Sequence, residues 1–146
     1  MAATAGTQVQ KCSRCGAANR VDPARAGAVC GRCHSPLAAQ TRPIVITDSN
    51  FAAEVERSPL PVLVDFWAAW CGPCRILGPI VDQLATDLSG RVRIGKLDVD
   101  ANQMTASRYR VQSIPTMIIF QNGREVDRIV GAQSREAILQ RLRPFS

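Results

Sequence analysis

The sequence predicts an α/β protein with one central mixed β-sheet, preceded by a small metal-binding module. Three observations support this fold class: strand-like and helix-like segments alternate from about residue 44 onward, two cysteines open the longest helical segment, and four others form two matched pairs near the N-terminus. The 146 residues suffice for one ordinary domain and a small appendage. Hydrophobic residues make up 46% of the chain, which permits a packed core and excludes a wholly disordered protein.

Charge and cysteine use divide the chain into two units. Residues 1–43 carry six basic side chains against one acid, whereas the remainder carries twelve basic and eleven acidic groups. Four of the six cysteines lie between residues 12 and 33. We therefore expect a flexible tail over 1–11, a four-cysteine module over 12–40 and a second domain over 41–146.

The cellular compartment is predicted from the lack of a secretory signal and of a membrane-spanning segment. The first ten residues contain no basic stretch followed by an apolar one, so we expect no secretory signal. No run of 18 apolar residues is present, so we expect no membrane span. In the cytosolic location that this indicates, cysteines are kept as thiols and serve as metal ligands or redox catalysts.

The N-terminal cysteines follow the pattern C-x2-C-x14-C-x2-C, formed by Cys12, Cys15, Cys30 and Cys33. Each pair places two sulfurs on one tight turn, and two such turns supply the four thiolates that structural Zn²⁺ prefers. A segment of about 30 residues cannot bury enough apolar surface to fold alone. We therefore predict a zinc-ribbon-like module that holds one structural Zn²⁺ per chain.

Several neighbours of these cysteines have expected roles. Gly16 and Gly31 are expected to adopt positive φ angles in the turns. His34 could compete as a ligand, but four sulfurs already complete the site, so we expect it at the surface. The basic side chains that would offset the negative charge of the thiolates are Lys11, Arg14 and Arg32. Nucleic-acid binding by this basic module is an alternative that we disfavour, because the segment has no aromatic residue for base stacking.

The second unit begins with a strand and two helices around a buried strand. A β-branched strand at 44–47 precedes a helix that Asp48 or Ser49 caps and that ends near Arg57. The apolar run 62–67 predicts a strand covered on both faces. A long helix over 71–88 follows, with Pro79 inside it. Its apolar stripe comprises Ile76, Leu77, Ile80, Val81, Leu84, Ala85 and Leu88.

The remaining elements complete the sheet. A third strand over 92–98 and a short helix over 102–110 lead to two strands, 116–120 and 124–130, which the Asn122-Gly123 turn joins as a hairpin. Ser134 caps a terminal helix whose inner face carries Ala137, Ile138 and Leu142. We expect the first three strands to be parallel, the hairpin to be antiparallel, and Met104, Met117 and Phe120 to lie in the core.

The sequence predicts redox chemistry at Cys71 and Cys74, which lie within the sequence Trp-Cys-Gly-Pro-Cys. A C-x-x-C pair that follows a buried strand and opens a helix is typical of a redox dithiol. Cys71 lies at the helix start, where unpaired N–H groups and the helix dipole favour an anion, so we expect a pKa below the free value of about 8.5. Cys74 lies one turn further on and is expected to be less exposed.

Residues 44–146 resemble the thioredoxin family. The resemblance is carried by the run from Val64 to Cys74 (Val-Asp-Phe-Trp-Ala-Ala-Trp-Cys-Gly-Pro-Cys), by Ser-Ile-Pro-Thr ending at Thr116, and by Val-Gly-Ala ending at Ala132. With the four-cysteine segment, the chain is similar to the thioredoxin 2 subgroup of bacteria. The resemblance implies a thioredoxin fold, with a central five-stranded mixed sheet flanked by helices.

The resemblance also implies the activity of a general protein-disulfide reductase. Cys71 would attack disulfides of target proteins and Cys74 would resolve the mixed disulfide. An NADPH-dependent thioredoxin reductase would restore the dithiol. Gly-Pro between the cysteines is similar to the reducing members, since oxidants and isomerases of this fold usually carry His there. We expect a monomer that serves in electron transport and oxidative stress.

Other residues acquire roles by the same resemblance. Asp65 interrupts an apolar strand, so burial should raise its pKa, and the resemblance makes it the proton acceptor for Cys74. Lys96 is similar to the family lysine near that carboxylate, and Pro115 to the cis-proline opposite the dithiol. Trp67 is expected to pack beside the site. The apolar surface that would dock substrate comprises Trp70, Gly72, Pro73, Ile114, Gly131 and Ala132.

Two other functions compete with a reductase. The four N-terminal thiolates could form a redox sensor that releases zinc on oxidation, and such a sensor could coexist with reductase activity. Alternatively, a zinc-ribbon interaction module could use the second domain only as a scaffold. The intact Trp-Cys-Gly-Pro-Cys sequence, together with Asp65 and Pro115, disfavours the scaffold, because a scaffold needs none of them.

Overall fold

The structure is a computed structural model, and it describes residues 8–12, 15–21, 29–34 and 42–146. Residues 1–7 of the tail predicted over 1–11, the charge-offsetting role of Arg14, and the predicted boundary between residues 40 and 41 lie outside these residues. Residues Gln8–Lys11, predicted as the end of a flexible tail, instead form a strand. Within the described ranges, no helix is both long and apolar enough to cross a membrane.

The described residues form two separate sheets. A two-stranded antiparallel sheet lies in the N-terminal unit, and a five-stranded mixed sheet forms the centre of the second unit, with the order β3-β5-β4-β6-β7. The strands are β1 (Gln8–Lys11), β2 (Ala18–Val21), β3 (Ile44–Ile46), β4 (Val62–Trp67), β5 (Arg93–Asp98), β6 (Thr116–Gln121) and β7 (Arg124–Val130). Strands β3 and β4 both pair parallel with β5, whereas β6 is antiparallel to β4 and to β7. The predicted mixed sheet is therefore confirmed.

Helices cover both faces of the five-stranded sheet. They are α1 (Gly72–Asp87), α2 (Gln103–Arg108) and α3 (Arg135–Leu142), together with a π-helical turn at Ala52–Glu56 and a 3-10 turn at Arg143–Phe145. One core cluster joins Leu63 of β4 to the inner faces of α1 and α3. A second cluster, on the other face, joins Val64 and Phe66 to Phe51 and the end of α2. Strand β4 is thus buried on both faces, as its apolar run predicts.

Two local predictions are confirmed. Asn122 and Gly123 have φ angles of 54° and 79°, which suit the tight turn between β6 and β7. The Ser134 hydroxyl accepts a hydrogen bond of 3.2 Å from the Ala137 N–H and so caps α3.

The helix predicted after β3 is wrong in its type and its cap. The segment is a π-helical turn, and the residue before it, Phe51, makes no side-chain cap. The Asp48 carboxylate instead accepts hydrogen bonds from the backbone N–H groups of Met104 and Thr105 at the start of α2, and from the Thr105 hydroxyl. These bonds hold the pKa of Asp48 below its ordinary value, with the Thr105 hydroxyl as the largest cause.

Two residues expected in the core are exposed. Ile76 is 71% exposed and Met104 is 77% exposed. The buried face of α1 runs through Leu77, Val81 and Leu84, so Ile76 lies one helical step outside it. Helix α2 likewise buries the residues after Met104, and Met104 itself points to solvent.

Candidate active site and candidate metal centre

The two cysteines after β4 form a disulfide at the start of α1. Cys71 and Cys74 are joined with a Cα–Cα distance of 5.3 Å, which is ordinary for a disulfide. Cys71 is the N-cap of α1, and its Sγ accepts a hydrogen bond of 3.2 Å from the Cys74 N–H. Pro73 lies in the first turn, where a missing N–H leaves no helical bond unmade.

The local fields at this helix end favour a thiolate on Cys71. An N-terminal helix end presents unpaired N–H groups and the positive end of the dipole. The expected difference in exposure between the two cysteines is absent, since each is 4% exposed in the oxidised pair. Its position as N-cap, and not greater exposure, therefore distinguishes Cys71 from Cys74.

A loop from another part of the sheet faces the disulfide. The Ile114–Pro115 peptide bond is cis, as the family resemblance predicts. The Ile114 carbonyl oxygen lies 3.7 Å from the Cys71 Sγ. The Pro115 carbonyl accepts a hydrogen bond of 2.8 Å from the Gly131 N–H, which ties the end of β7 to this loop. The structure therefore brings Cys71, Ile114, Pro115 and Gly131 together.

The residues expected to dock substrate lie largely at the surface. Trp70 is 69% exposed, Gly72, Pro73 and Ala132 are exposed, and Ile114 and Gly131 are half-buried. The Trp70 indole N–H donates a hydrogen bond of 2.9 Å to the Asp100 carboxylate. The sequence analysis missed Asp100, although an acidic residue just after a strand that ends near the dithiol could have indicated it.

Asp65 lies beneath α1 in the middle of β4. Side chains alternate along a strand, so Asp65 shares a face with Leu63, which packs against Leu77 and Val81 of α1. Asp65 is 1% exposed, and neither carboxylate oxygen has a hydrogen-bond partner within the described residues.

The surroundings of Asp65 shift its protonation strongly. Burial raises the pKa of Asp65 to about 7, the positive charge of Lys96 opposes this shift, and the negative charge of Asp82 adds to it. The predicted rise is therefore confirmed, and Lys96 is close enough to act on Asp65. The Lys96 ammonium also lies 4.7 Å from the centre of the Trp67 ring, a cation–π contact that places Trp67 beside the site.

The four N-terminal cysteines form one compact cluster. Their Sγ atoms all lie within 4.8 Å of one another, with 3.6 Å between Cys12 and Cys33 and between Cys15 and Cys30. Four ligands at about 2.3 Å from a tetrahedral ion would be about 3.8 Å apart. The donor set and its spacing therefore fit Zn²⁺, and the separations are too long for disulfides.

The two cysteine turns have the same backbone design. The Gly16 N–H donates to the Cys12 carbonyl at 2.9 Å, and the His34 N–H donates to the Cys30 carbonyl at 2.9 Å. Gly16 and His34, which close the two turns, have φ angles of 79° and 63°. The prediction for Gly31 is therefore wrong, because His34 takes the positive φ in the second turn. His34 is exposed, as expected, and lies outside the cluster of ligand atoms.

Two sulfurs of this cluster have pKa values shifted in opposite directions. The backbone N–H of Cys33 and then the Asn19 amide lower the pKa of Cys30 to about 6, against the opposing effect of burial. The Ala17 N–H lowers the pKa of Cys15, but burial and the other three sulfurs outweigh it and raise the pKa to about 11. A bound cation would favour the thiolate of Cys15, whose pKa is raised.

Lys11, the residue before Cys12, contacts the second unit at the end of the sheet away from the dithiol. The Lys11 ammonium donates to the Ala53 carbonyl at 3.0 Å and lies 3.4 Å from the Glu54 carboxylate, which Arg93 also binds at 2.6 Å. Burial raises the pKa of Glu54, but Arg93 and Lys11 outweigh it and hold the pKa below its ordinary value. Arg93 begins β5 beside Val62, the first residue of β4, whereas the other end of β4 leads into the disulfide.

An α/β fold with a C-x-x-C disulfide at a helix N-terminus, opposite a cis-proline, defines a thiol–disulfide oxidoreductase. Comparison with known proteins agrees with this class. The family model described as Thioredoxin matches residues 42–144. The chain belongs to the thioredoxin family.

Individual relatives are also named as thioredoxins. A thioredoxin of Mycobacterium tuberculosis strain H37Rv is 48% identical over 99 residues, which cover 68% of this chain and 85% of that protein. Thioredoxin 2 of Chlorobaculum tepidum is 51% identical over 96 residues, covering 66% of this chain and 88% of that protein. The family model begins at residue 42, so it does not include the four N-terminal cysteines.

Proposed function

We propose that this protein is a disulfide reductase that acts on other proteins through Cys71 and Cys74. The observation that carries the proposal is the position of Cys71. Its Sγ caps α1 and lies 3.7 Å from the Ile114 carbonyl, beside exposed apolar residues on which a target could dock. An extended target segment could pair with the backbone of Ile114 and present its disulfide to Cys71.

The reaction consists of two thiol–disulfide exchanges. The Cys71 thiolate attacks one sulfur of the target disulfide, forming a mixed disulfide and releasing the other target sulfur as a thiolate. Cys74 then loses its proton and attacks the Cys71 sulfur, which releases the second target sulfur. Two electrons pass to the target, and Cys71 and Cys74 become the disulfide.

Asp65 is the proposed proton acceptor for Cys74. A carboxylate with a pKa of about 7 can take up a proton near neutral pH, whereas an ordinary carboxylate is too weak a base. Its position beneath α1, the helix that carries Cys74, supports this role. Lys96 modulates the basicity of Asp65 through its positive charge.

The partners and the location complete the proposal. Disulfide-containing proteins are the substrates, and an NADPH-dependent thioredoxin reductase returns the two electrons to the Cys71–Cys74 pair. A thiol-reducing compartment such as the cytosol suits a dithiol reductase and four cysteine ligands. We propose that the protein works there as a monomer.

We further propose that Cys12, Cys15, Cys30 and Cys33 hold one structural Zn²⁺. Support comes from four sulfurs at tetrahedral spacing and from the two matching turns that present them. When bound, the ion would supply the cross-link that so short a segment needs in order to fold.

The reductase is tested by NADPH-coupled reduction of insulin with thioredoxin reductase. The wild-type chain is expected to turn over, and a Cys71→Ser chain is expected to lose turnover completely. Lys11→Gln is a matched control, because Lys11 lies at the other end of the sheet. A wild-type chain that accepts no electrons from the reductase, while reducing insulin with a chemical dithiol, would exclude the proposed electron donor alone.

A further inference from the structure

The side chain of Asn19, on β2, joins the two cysteine turns of the N-terminal unit. Its amide N–H donates to the Ala17 carbonyl at 3.0 Å and to the Cys30 Sγ at 3.4 Å, and its carbonyl accepts from the Gly31 N–H at 2.8 Å. The Ala17 carbonyl also accepts from the Cys12 N–H at 2.8 Å. One side chain therefore connects the backbone of the first turn to both the backbone and a sulfur of the second.

The orientation of this amide is fixed by its partners. A backbone N–H such as that of Gly31 can only donate, and a carbonyl such as that of Ala17 can only accept. Exchanging the oxygen and nitrogen of Asn19 would break both bonds. The NH₂ group is therefore directed at Ala17 and at the Cys30 sulfur.

Cys30 is a ligand whose burial makes such a donor important. It is fully buried, with 0% exposure, so a thiolate there cannot be solvated by water. Its sulfur interacts with three N–H groups: those of the Asn19 side chain and the Arg32 backbone, each at 3.4 Å, and that of the Cys33 backbone. The Arg32 contact belongs to the turn itself, whereas the Asn19 contact reaches across from another strand.

We propose that Asn19 is a positioning residue of the four-cysteine metal centre. It holds the two cysteine turns at the spacing that the ion requires, and it stabilises the Cys30 thiolate by an N–H···S hydrogen bond. This inference rests on the proposed zinc module. Hydrogen-bond partners of metal ligands of this kind typically change metal affinity by about 10–100-fold when they are removed.

Two substitutions separate the two contributions of Asn19. Asn19→Ala removes both the connection to Gly31 and the donor to Cys30. Asn19→Asp has nearly the same shape and still accepts from Gly31, but it offers no donor to the Cys30 sulfur or to the Ala17 carbonyl, and it adds a negative charge beside the thiolates. The neighbouring Arg20→Gln is the matched control, because Arg20 is exposed on the same strand.

The test uses the full reduced chain with Cys71→Ser and Cys74→Ser, so that only the four N-terminal thiols bind metal. Zn²⁺ affinity is measured by competition with a chelating dye, and the sulfur-to-metal charge-transfer band is recorded with Co²⁺. We expect Asn19→Ala and Asn19→Asp each to weaken Zn²⁺ binding by about 10–100-fold and to shift the Co²⁺ band. We expect Arg20→Gln to do neither.

Three outcomes would overturn the inference. Wild-type affinity and an unshifted Co²⁺ band in both Asn19 variants would show that Asn19 has no part in the site. If Asn19→Asp alone kept the wild-type Zn²⁺ affinity and Co²⁺ band, the hydrogen bond from Asn19 to the Cys30 sulfur would make no contribution to metal binding. If the parent chain with Cys71→Ser and Cys74→Ser bound no Zn²⁺, the proposed zinc module itself would be excluded. This result is obtained before any Asn19 variant is compared.

Discussion

The carboxyl group of Asp65 makes a pH-dependent contribution to the stability of the domain. Burial raises its pKa from 3.8 to about 7, so the folded chain binds this proton more tightly than the unfolded chain does. A group with a raised pKa contributes stability that is complete below the unfolded value and is lost as the pH rises through the folded value. The contribution of Asp65 to stability should therefore fall between about pH 4 and pH 7.

Asp65→Asn removes this titration. The free energy of unfolding of the variant, compared with that of the wild type, should grow by on the order of 4 kcal/mol between pH 4 and pH 8. Urea unfolding of both oxidised proteins at several pH values measures the difference. Glu54→Gln is a useful comparison, because the pKa of Glu54 is lowered and its loss should act in the opposite direction. A difference that does not change with pH would contradict the raised pKa.

The same substitution should slow the resolving step. Without the carboxylate, Cys74 must give its proton to water, so we expect insulin reduction near pH 7 to fall by roughly 10–100-fold. The difference in rate between Asp65→Asn and the wild type should become smaller at higher pH, where hydroxide can remove the Cys74 proton in place of the Asp65 carboxylate. A pH–rate profile of Asp65→Asn against the wild type checks this, and equal profiles would exclude Asp65 as the proton acceptor.

The roles of the two cysteine sulfurs, attacking and resolving, can also be tested one residue at a time. If Cys71 is the nucleophile and Cys74 resolves, Cys74→Ser should accumulate mixed disulfides between Cys71 and its targets. Non-reducing gels with an excess of oxidised insulin would detect them, and Cys71→Ser is the matched control that should form none. Adducts formed only by Cys71→Ser would reverse the assignment.

At the scale of elements, α2 ends in a turn that suits glycine but contains Arg110. The Val111 N–H donates to the Ala106 carbonyl at 2.9 Å and the Arg110 N–H donates to the Ser107 carbonyl at 3.0 Å, which together form a Schellman motif. Arg110 holds the left-handed position of this motif, with a φ of 54°. A residue with a Cβ atom is strained there.

Arg110→Gly should therefore stabilise the protein by about 1 kcal/mol. Arg110→Ala is the matched control, because it removes the same side chain but keeps the Cβ atom, and it should leave stability nearly unchanged. Thermal unfolding of the three oxidised proteins measures both effects. Equal gains in both variants would mean that the arginine side chain, and not the backbone, is unfavourable.

Features formed by interactions between residues close in sequence were predictable, whereas features formed by residues far apart in sequence were not. Asn122-Gly123 and Ser134 act within a few residues of themselves, and both predictions are confirmed. Asp48 would cap its own helix by local rules, but its carboxylate binds α2, more than fifty residues away. Asn19 and Asp100 escaped prediction for the same reason, since their partners are brought to them only by the fold.

For the whole molecule, the zinc module and the dithiol should respond separately to metal removal. Chelation of the reduced chain should abolish hydrogen-exchange protection of β1 and β2, because the segment lacks a core of its own. Protection of β4 and α1 should persist, since the module contacts their domain at the other end of the sheet. Insulin reduction should change less than about twofold, and loss of protection throughout β4 would contradict this independence.

The length of β4 has a further consequence for the chemistry of sulfur in this protein. Six residues of rigid strand, about 17 Å from Val62 to Trp67, lie between the end near the four-sulfur cluster and the end that leads to Cys71. While the module is folded, the dithiol of a chain therefore cannot reach the cluster of the same chain. Thiol–disulfide exchange between a dithiol and a folded cluster must then occur between two molecules, and its rate should rise in proportion to protein concentration.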